Sequence, residues 1–218
     1  MHPTDDPDFA AELRSRIAAG EGRRLELKRG LPGDPKVART LAAFANGVGG
    51  LLLVGVDDDH TLVGAPRPEE TADHLVEVAA AAVEPPLEPF VTEVAVDGVR
   101  LVVCFVPASD RAPHRARDAD GRWDWVLRRA ASTRRVDRAE SERDLARRPQ
   151  LDDDERRLLA RVPSAKDGDL GDGTDEAALA TELGLAPSRV RRALVKLERS
   201  GRILGWSKPG AARRYAAP

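Results

Sequence analysis

Apolar positions recur along this chain with two periods, and the switch from one to the other marks out its elements. Phe9, Leu13 and Ile17 fall four residues apart, which predicts an amphipathic helix over Asp8 to Ala19, ended by Gly20 and Gly22. In Arg23-Arg24-Leu25-Glu26-Leu27-Lys28 the period shortens to two. Leu25 and Leu27 then share one face of a half-buried strand, and Arg24, Glu26 and Lys28 share the other. Asp34-Pro35 opens a second helix with Val37, Leu41 and Phe44 as its stripe, and Asn46-Gly47 is expected to cap it. Gly49-Gly50 leads into the unbroken apolar run Leu51 to Val56, a predicted central strand that emerges into Asp57-Asp58-Asp59. Further on come a helix from about Glu69 to Val83, strands Phe90 to Val96 and Val99 to Val106 about the hairpin signal Asp97-Gly98, a strand from Trp123 to Arg128, and a basic helix from about Arg138 to Arg147.

Beyond Pro149 the pattern is helical. Helices are predicted over Asp152 to Val162, Asp175 to Leu183 and Pro187 to Ser200, the last capped near Ser188 after a tight turn at Gly184. The chain then runs through Ile203-Leu204-Gly205-Trp206, a turn at Pro209-Gly210, and Arg213-Arg214-Tyr215. Three helices and a terminal hairpin predict a winged helix-turn-helix. The expected fold class is α+β: a mixed-sheet domain over residues 1–148, a linker over 149–153, and a small winged helix-turn-helix domain over 154–218.

Charge sharpens this division. The net charge of -2 conceals segregation: residues 185–218 carry nine bases and one acid, whereas residues 151–184 carry ten acids and four bases. On the last helix Val190, Leu194 and Leu197 point one way, and Arg189, Arg192, Lys196 and Arg199 largely the other. DNA is therefore the expected partner, contacted by Arg189, Arg191, Arg192, Lys196 and Arg199 in a groove and by Arg202, Lys208, Arg213 and Arg214 on the wing. The competing use of such a module is protein association, with its arginines merely solvated. The lone Cys104, inside an apolar run, excludes a disulfide within the chain and suits a reducing compartment. Apolar runs fall far short of the roughly 20 residues that span a bilayer, and no basic leader is evident. A cytoplasmic protein without a membrane partner is expected.

Glu26-Leu27-Lys28 has a form that suits phosphodiester chemistry. Both charged side chains share a strand face, where a carboxylate can hold Mg²⁺ or Mn²⁺ and an ammonium can offset charge developing on phosphate. Glu21 lies in the turn before that strand, and Asp57 and Asp58 lie where the central strand ends, so Glu21, Glu26 and Asp57 or Asp58 are candidate metal ligands. The ordinary alternative is a surface ion pair beside a solvated turn.

The order and spacing of Glu21 to Lys28, Ala43-Phe44-Ala45-Asn46-Gly47-Val48-Gly49-Gly50, Leu53 to Asp58, Val63-Gly64, Pro113-His114, and Trp125 to Arg128 leading to Ser132-Thr133-Arg134 resemble the Schlafen-type AlbA domain over about residues 12 to 147. The resemblance implies nucleic-acid binding, and the bacterial relatives with an attached helix-turn-helix imply transcriptional regulation. It also implies an alternative, a metal-dependent ribonuclease acting on RNA through two glutamates and an aspartate, which would be Glu21, Glu26 and Asp58 here, with Lys28 beside them. The zinc cluster of animal relatives is missing, and one lobe stands where they have two, so a homodimer is expected. ATP, suggested by family naming and by Gly47, Gly49 and Gly50, is not expected, because no Gly-Lys-Ser/Thr follows these glycines. His114 is expected in a loop.

Overall fold

The structure, a computed structural model, describes residues 6–165, 169–207 and 211–217. Its elements, in chain order, are α1 (Pro7–Ala19), β1 (Leu25–Lys28), α2 (Asp34–Asn46), β2 (Gly50–Val54), α3 (Pro68–Ala81), β3 (Val83–Glu84), β4 (Phe90–Val96), β5 (Val99–Val106), β6 (Arg115–Arg117), β7 (Trp123–Arg129), β8 (Ser132–Val136), α4 (Arg138–Ala146), α5 (Asp153–Leu159), β9 (Thr174–Asp175), α6 (Glu176–Leu183), α7 (Pro187–Arg199), β10 (Leu204–Trp206) and β11 (Arg214–Ala216). The fold is α+β.

The first sheet has the order β1-β2-β5-β4, with β1 parallel to β2 and the other pairs antiparallel. Its central strands are apolar where both faces are covered, β2 along its whole length and β5 from Leu101 to Val106. Leu52, Val54, Val102, Cys104 and Val106 join α2 and α3 in one core. The alternate residues Leu51, Leu53, Leu101, Val103 and Phe105 join Phe9, Leu13 and Ile17 of α1 in another. Burial pushes the Cys104 thiol up to about 12, so it serves as a small apolar group. The β4–β5 turn places Asp97 at φ 51° and Gly98 at φ 78°, the paired positive values of a tight hairpin turn.

A second, antiparallel sheet, β3-β6-β7-β8, packs on α2. Asn46 fastens it. The Asn46 side chain donates to the carbonyls of His114 (2.8 Å) and Val126 (3.0 Å) and accepts from the His114 N–H (2.6 Å). The helix ends at Asn46 with Gly47 as its C-cap, as expected, but Gly47 has φ -102°, outside the left-handed region, and Asn46 turns inward to join helix to sheet. His114 lies in the loop before β6, as expected, and is fully buried there, its ring nitrogens 2.7 Å from the Pro85 carbonyl and 2.7 Å from Ser109 Oγ.

The C-terminal part packs α5, α6 and α7 around Leu158, Leu179, Val190, Leu194 and Leu197, with a third sheet of order β10-β11-β9. The α7 helix starts at Pro187 after Ala186, without a side-chain cap, so Ser188 does not cap it. This part is not a loose appendage. Leu204 and Trp206 enter the core formed by α1 and the first sheet, where Phe9 meets Trp206 edge-on at 6.0 Å. Behind α7, Gly201 adopts φ +70° so close to the turn between α2 and β2 that a Cβ there would lie 2.0 Å from the Val48 carbonyl oxygen. Its own carbonyl accepts from the Ala108 N–H at 3.0 Å. The turn expected at Pro209-Gly210 lies outside the described residues.

Candidate nucleic-acid interface

Two surfaces collect the charged residues singled out by the sequence. The first is a cleft of about 500 Å³ between β1, α2 and the β7–β8 hairpin, lined by Glu26, Lys28, Pro32, Lys36, Arg39, Thr40, Asp58, Arg128, Ala131 and Thr133. Four bases face two acids, so the cleft suits an anion. Lys36, Arg39 and Thr40 come from the polar side of α2, whose other side buries Val37, Leu41 and Phe44. Arg39 Nε and Thr133 Oγ are buried without a hydrogen-bond partner among the described residues. The sequence reading missed Lys36 and Arg39, although their three-residue spacing on the predicted helix was a usable signal.

Arg128 forms the floor. Its side chain is 2% exposed, donates to the Gly22 carbonyl (3.0 and 2.8 Å) and the Leu25 carbonyl (3.0 Å), and stacks 4.8 Å from the Phe44 ring centre. Its Nη2 also lies 2.7 Å from Glu26 Oε2, and Lys28 Nζ lies 2.7 Å from Glu26 Oε1. Glu21 Oε1 accepts from the Leu27 N–H at 2.8 Å and stands 3.5 Å from Lys28 Nζ. Asp57 pairs with Arg29 at 2.5 Å, leaving Asp58 as the acid of that turn that lines the cleft. The expected convergence of carboxylates is therefore only partial: Glu26 and Asp58 line the cleft, Glu21 stands beside Glu26 across the Lys28 ammonium, and Asp57 is turned to Arg29. Among the described residues no group of three or more His, Cys, Asp or Glu side chains is arranged to hold a metal ion. Both Glu26 oxygens face cations and Glu21 Oε1 holds a backbone N–H, so a Mg²⁺ or Mn²⁺ shared by these carboxylates would have to displace Lys28 or Arg128.

The second surface is α7. Val190, Ala193, Leu194 and Leu197 are buried, whereas Arg189, Arg191, Arg192 and Arg199 are exposed. Several of the bases assigned to DNA have acidic partners within the chain. Arg189 pairs with Asp154, Arg191 with Glu176 (2.8 Å), Lys196 with Glu155 (2.6 Å) and Arg202 with Asp110 (2.6 Å). Arg192 and Arg199 have no ion-pair partner among the described residues. The terminal hairpin departs from expectation: Arg213 lies between Glu12 (3.1 Å) and Glu198 (2.5 Å), and Arg214 reaches Asp6 (2.8 Å) and lies 5.6 Å from the Trp206 ring centre. These two arginines fasten the hairpin to α1 and its N-terminal acids. Despite partial burial, Glu198 and Glu12 hold the Arg213 guanidinium well above its usual range. Burial likewise opposes the charged form of Glu12, but Arg213 and Arg16 draw its carboxyl below the usual carboxylate range. Lys208 lies outside the described residues.

The Schlafen, AlbA_2 family model matches residues 21–137. The chain belongs to this family. Every residue lining the basic cleft falls within the matched Schlafen AlbA_2 segment, whereas α5, α6 and α7 lie beyond it. Membership of the family suggests nucleic-acid binding. No curated protein matches the chain. Among solved structures, the N-terminal domain of a RecG-related protein from Nitrosomonas europaea is 28% identical, with 70% of this chain and 97% of that one covered and a TM-score of 0.45. The DIP2311 protein from Corynebacterium diphtheriae is 23% identical with a TM-score of 0.45; the match covers 84% of this chain and 36% of that protein. Gly49 and Gly50 of the AlbA_2 segment have packing reasons to be glycine: Gly49 has φ +66°, and a Cβ on Gly50 would lie 2.3 Å from the Phe44 ring. No described helix is long and apolar enough to cross a membrane.

Proposed function

We propose that this AlbA_2 protein is a DNA-binding transcriptional regulator in which residues 154–218 act as a winged helix-turn-helix and residues 1–148 supply a second, basic contact. One observation carries the reading: α7 follows a left-handed turn at Gly184 (φ 63°), buries its apolar stripe, and presents Arg189, Arg192 and Arg199 along one exposed side. Guanidinium groups at that spacing suit guanine edges and phosphates. The hairpin adds little in this reading, because Arg213 and Arg214 are held by acids of α1 and its cap. The cleft of Lys28, Lys36 and Arg39 would take the backbone of DNA or RNA.

A second reading, cleavage of RNA in that cleft, draws support from Glu26 and Asp58 lining it together. It requires Glu26 to release Arg128 and Lys28. The test compares duplex DNA affinity of wild type, Arg192→Ala/Arg199→Ala and Lys36→Ala/Arg39→Ala. Regulation through α7 expects the first pair to weaken binding about tenfold or more, and an unchanged affinity in that pair would refute it.

A further inference from the structure

The outer face of the second sheet carries two tryptophans with no part in either surface above. Val126 of β7 and Ala116 of β6 are buried in the core beneath α2, so the alternate residues Trp123, Trp125, Arg115 and Arg117 stand on the opposite face. Across the strands Arg117 faces Trp123 and Arg115 faces Trp125. The Arg115 guanidinium carbon lies 5.9 Å from the Trp123 ring centre and 5.3 Å from that of Trp125, so it sits between the two indoles, steadied by Glu84. Trp123 is 37% exposed. Beside it, Arg117 is exposed and has no ion-pair partner among the described residues, and Arg122 meets Asp120 at 3.3 Å with both side chains largely in water.

An indole held open by a packed guanidinium, with further guanidiniums at its edges, matches a ligand that combines a planar apolar face with negative charge. A nucleotide is such a ligand. In a duplex the base faces are stacked on one another, so only an unpaired strand can offer them to a side chain. We infer that this face binds single-stranded nucleic acid, with a base stacked on Trp123 and the adjoining phosphates on Arg117 and Arg122. The inference shares with the proposed function only the class of ligand; α7 takes no part in it.

The test uses the full chain and a labelled oligothymidine of about twelve nucleotides, within the usual range of single-strand site sizes. Trp206 is 0% exposed, so quenching of tryptophan emission reports on Trp123 and Trp125. Binding is expected to quench that emission. Trp123→Ala is expected to raise the single-strand Kd roughly tenfold, with Trp123→Phe recovering part of the loss, while duplex affinity stays as in wild type. Conversely, Arg192→Ala/Arg199→Ala should weaken duplex binding and leave the single strand bound. A single-strand Kd unmoved by Trp123→Ala, or saturation without quenching, would overturn the inference. Self-association of the free chain that disappears in Trp123→Ala would also overturn it, marking the face as a contact between copies.

Discussion

Arg128 Nη2 lies 2.7 Å from Glu26 Oε2 beneath the cleft, and the same guanidinium closes on the carbonyls of Gly22 and Leu25. A residue of β7 thus holds the loop before β1, the strand itself and the carboxylate that the sequence marks as a metal ligand. Removing the cation leaves Glu26 facing Lys28 alone, takes both Arg128 hydrogen bonds from the Gly22 carbonyl, and leaves the Leu25 carbonyl with only the Gly22 N–H. Arg128→Met is therefore expected to destabilise the fold by about 3–5 kcal/mol, measured by urea unfolding. Glu26→Gln, which keeps an acceptor for Arg128, should cost clearly less. Equal losses would contradict the clamp.

The hairpin arginines make a second prediction. Arg213→Ala removes one of the two arginines that tie the hairpin to α1 and leaves Glu12 and Glu198 facing each other with less positive charge between them. A loss of roughly 1–3 kcal/mol is expected, discounted for the partial exposure of the pair, and it should shrink as salt is raised. Unfolding curves at low and high salt check this, and a loss independent of salt would point to packing instead.

His114 sets a pH dependence. Burial holds its imidazole below the usual histidine value, so the folded chain binds a proton there less readily than the unfolded chain does. Its contribution to stability is complete above the ordinary imidazole pKa of about 6.5 and is lost as pH falls from there through the folded value. Thermal unfolding between pH 7.5 and 5.5 should show stability falling with acidity, and His114→Gln should flatten that slope. A wild type whose stability rises as pH falls across this range would contradict the assignment.

The cleavage reading has its own check. Labelled RNA and DNA incubated with Mg²⁺, Mn²⁺ or EDTA are expected to stay intact, because Glu26 is held by Arg128 and Lys28. Metal-dependent cutting that is lost in Glu26→Gln would show that the pair opens in the presence of substrate, and would make the cleft a nuclease centre.

Much of the fold was legible because its signals are local. Asp97-Gly98 specifies the β4–β5 hairpin, and the unbroken run from Leu51 reflects a strand covered on both faces. The strands β3, β6 and β8 escaped because they are short or polar: Ser132 to Val136 owes its pairing to the backbone of β7, not to an apolar pattern. At the candidate site the pair Glu26 and Lys28 was legible from strand alternation. The roles of Arg213 and Arg214 were not, since their partners Asp6 and Glu12 lie some two hundred positions earlier in the chain. Counting bases reveals where cations are concentrated, but only the fold shows which of them already face a carboxylate.

The most direct test of DNA binding through α7 is the salt dependence of duplex affinity, measured by anisotropy for wild type and Arg192→Ala/Arg199→Ala. Log affinity is expected to fall linearly with log salt, and the variant should bind more weakly with a slope smaller by about two. No binding by wild type at low salt, or the same slope and affinity in the variant, would contradict it.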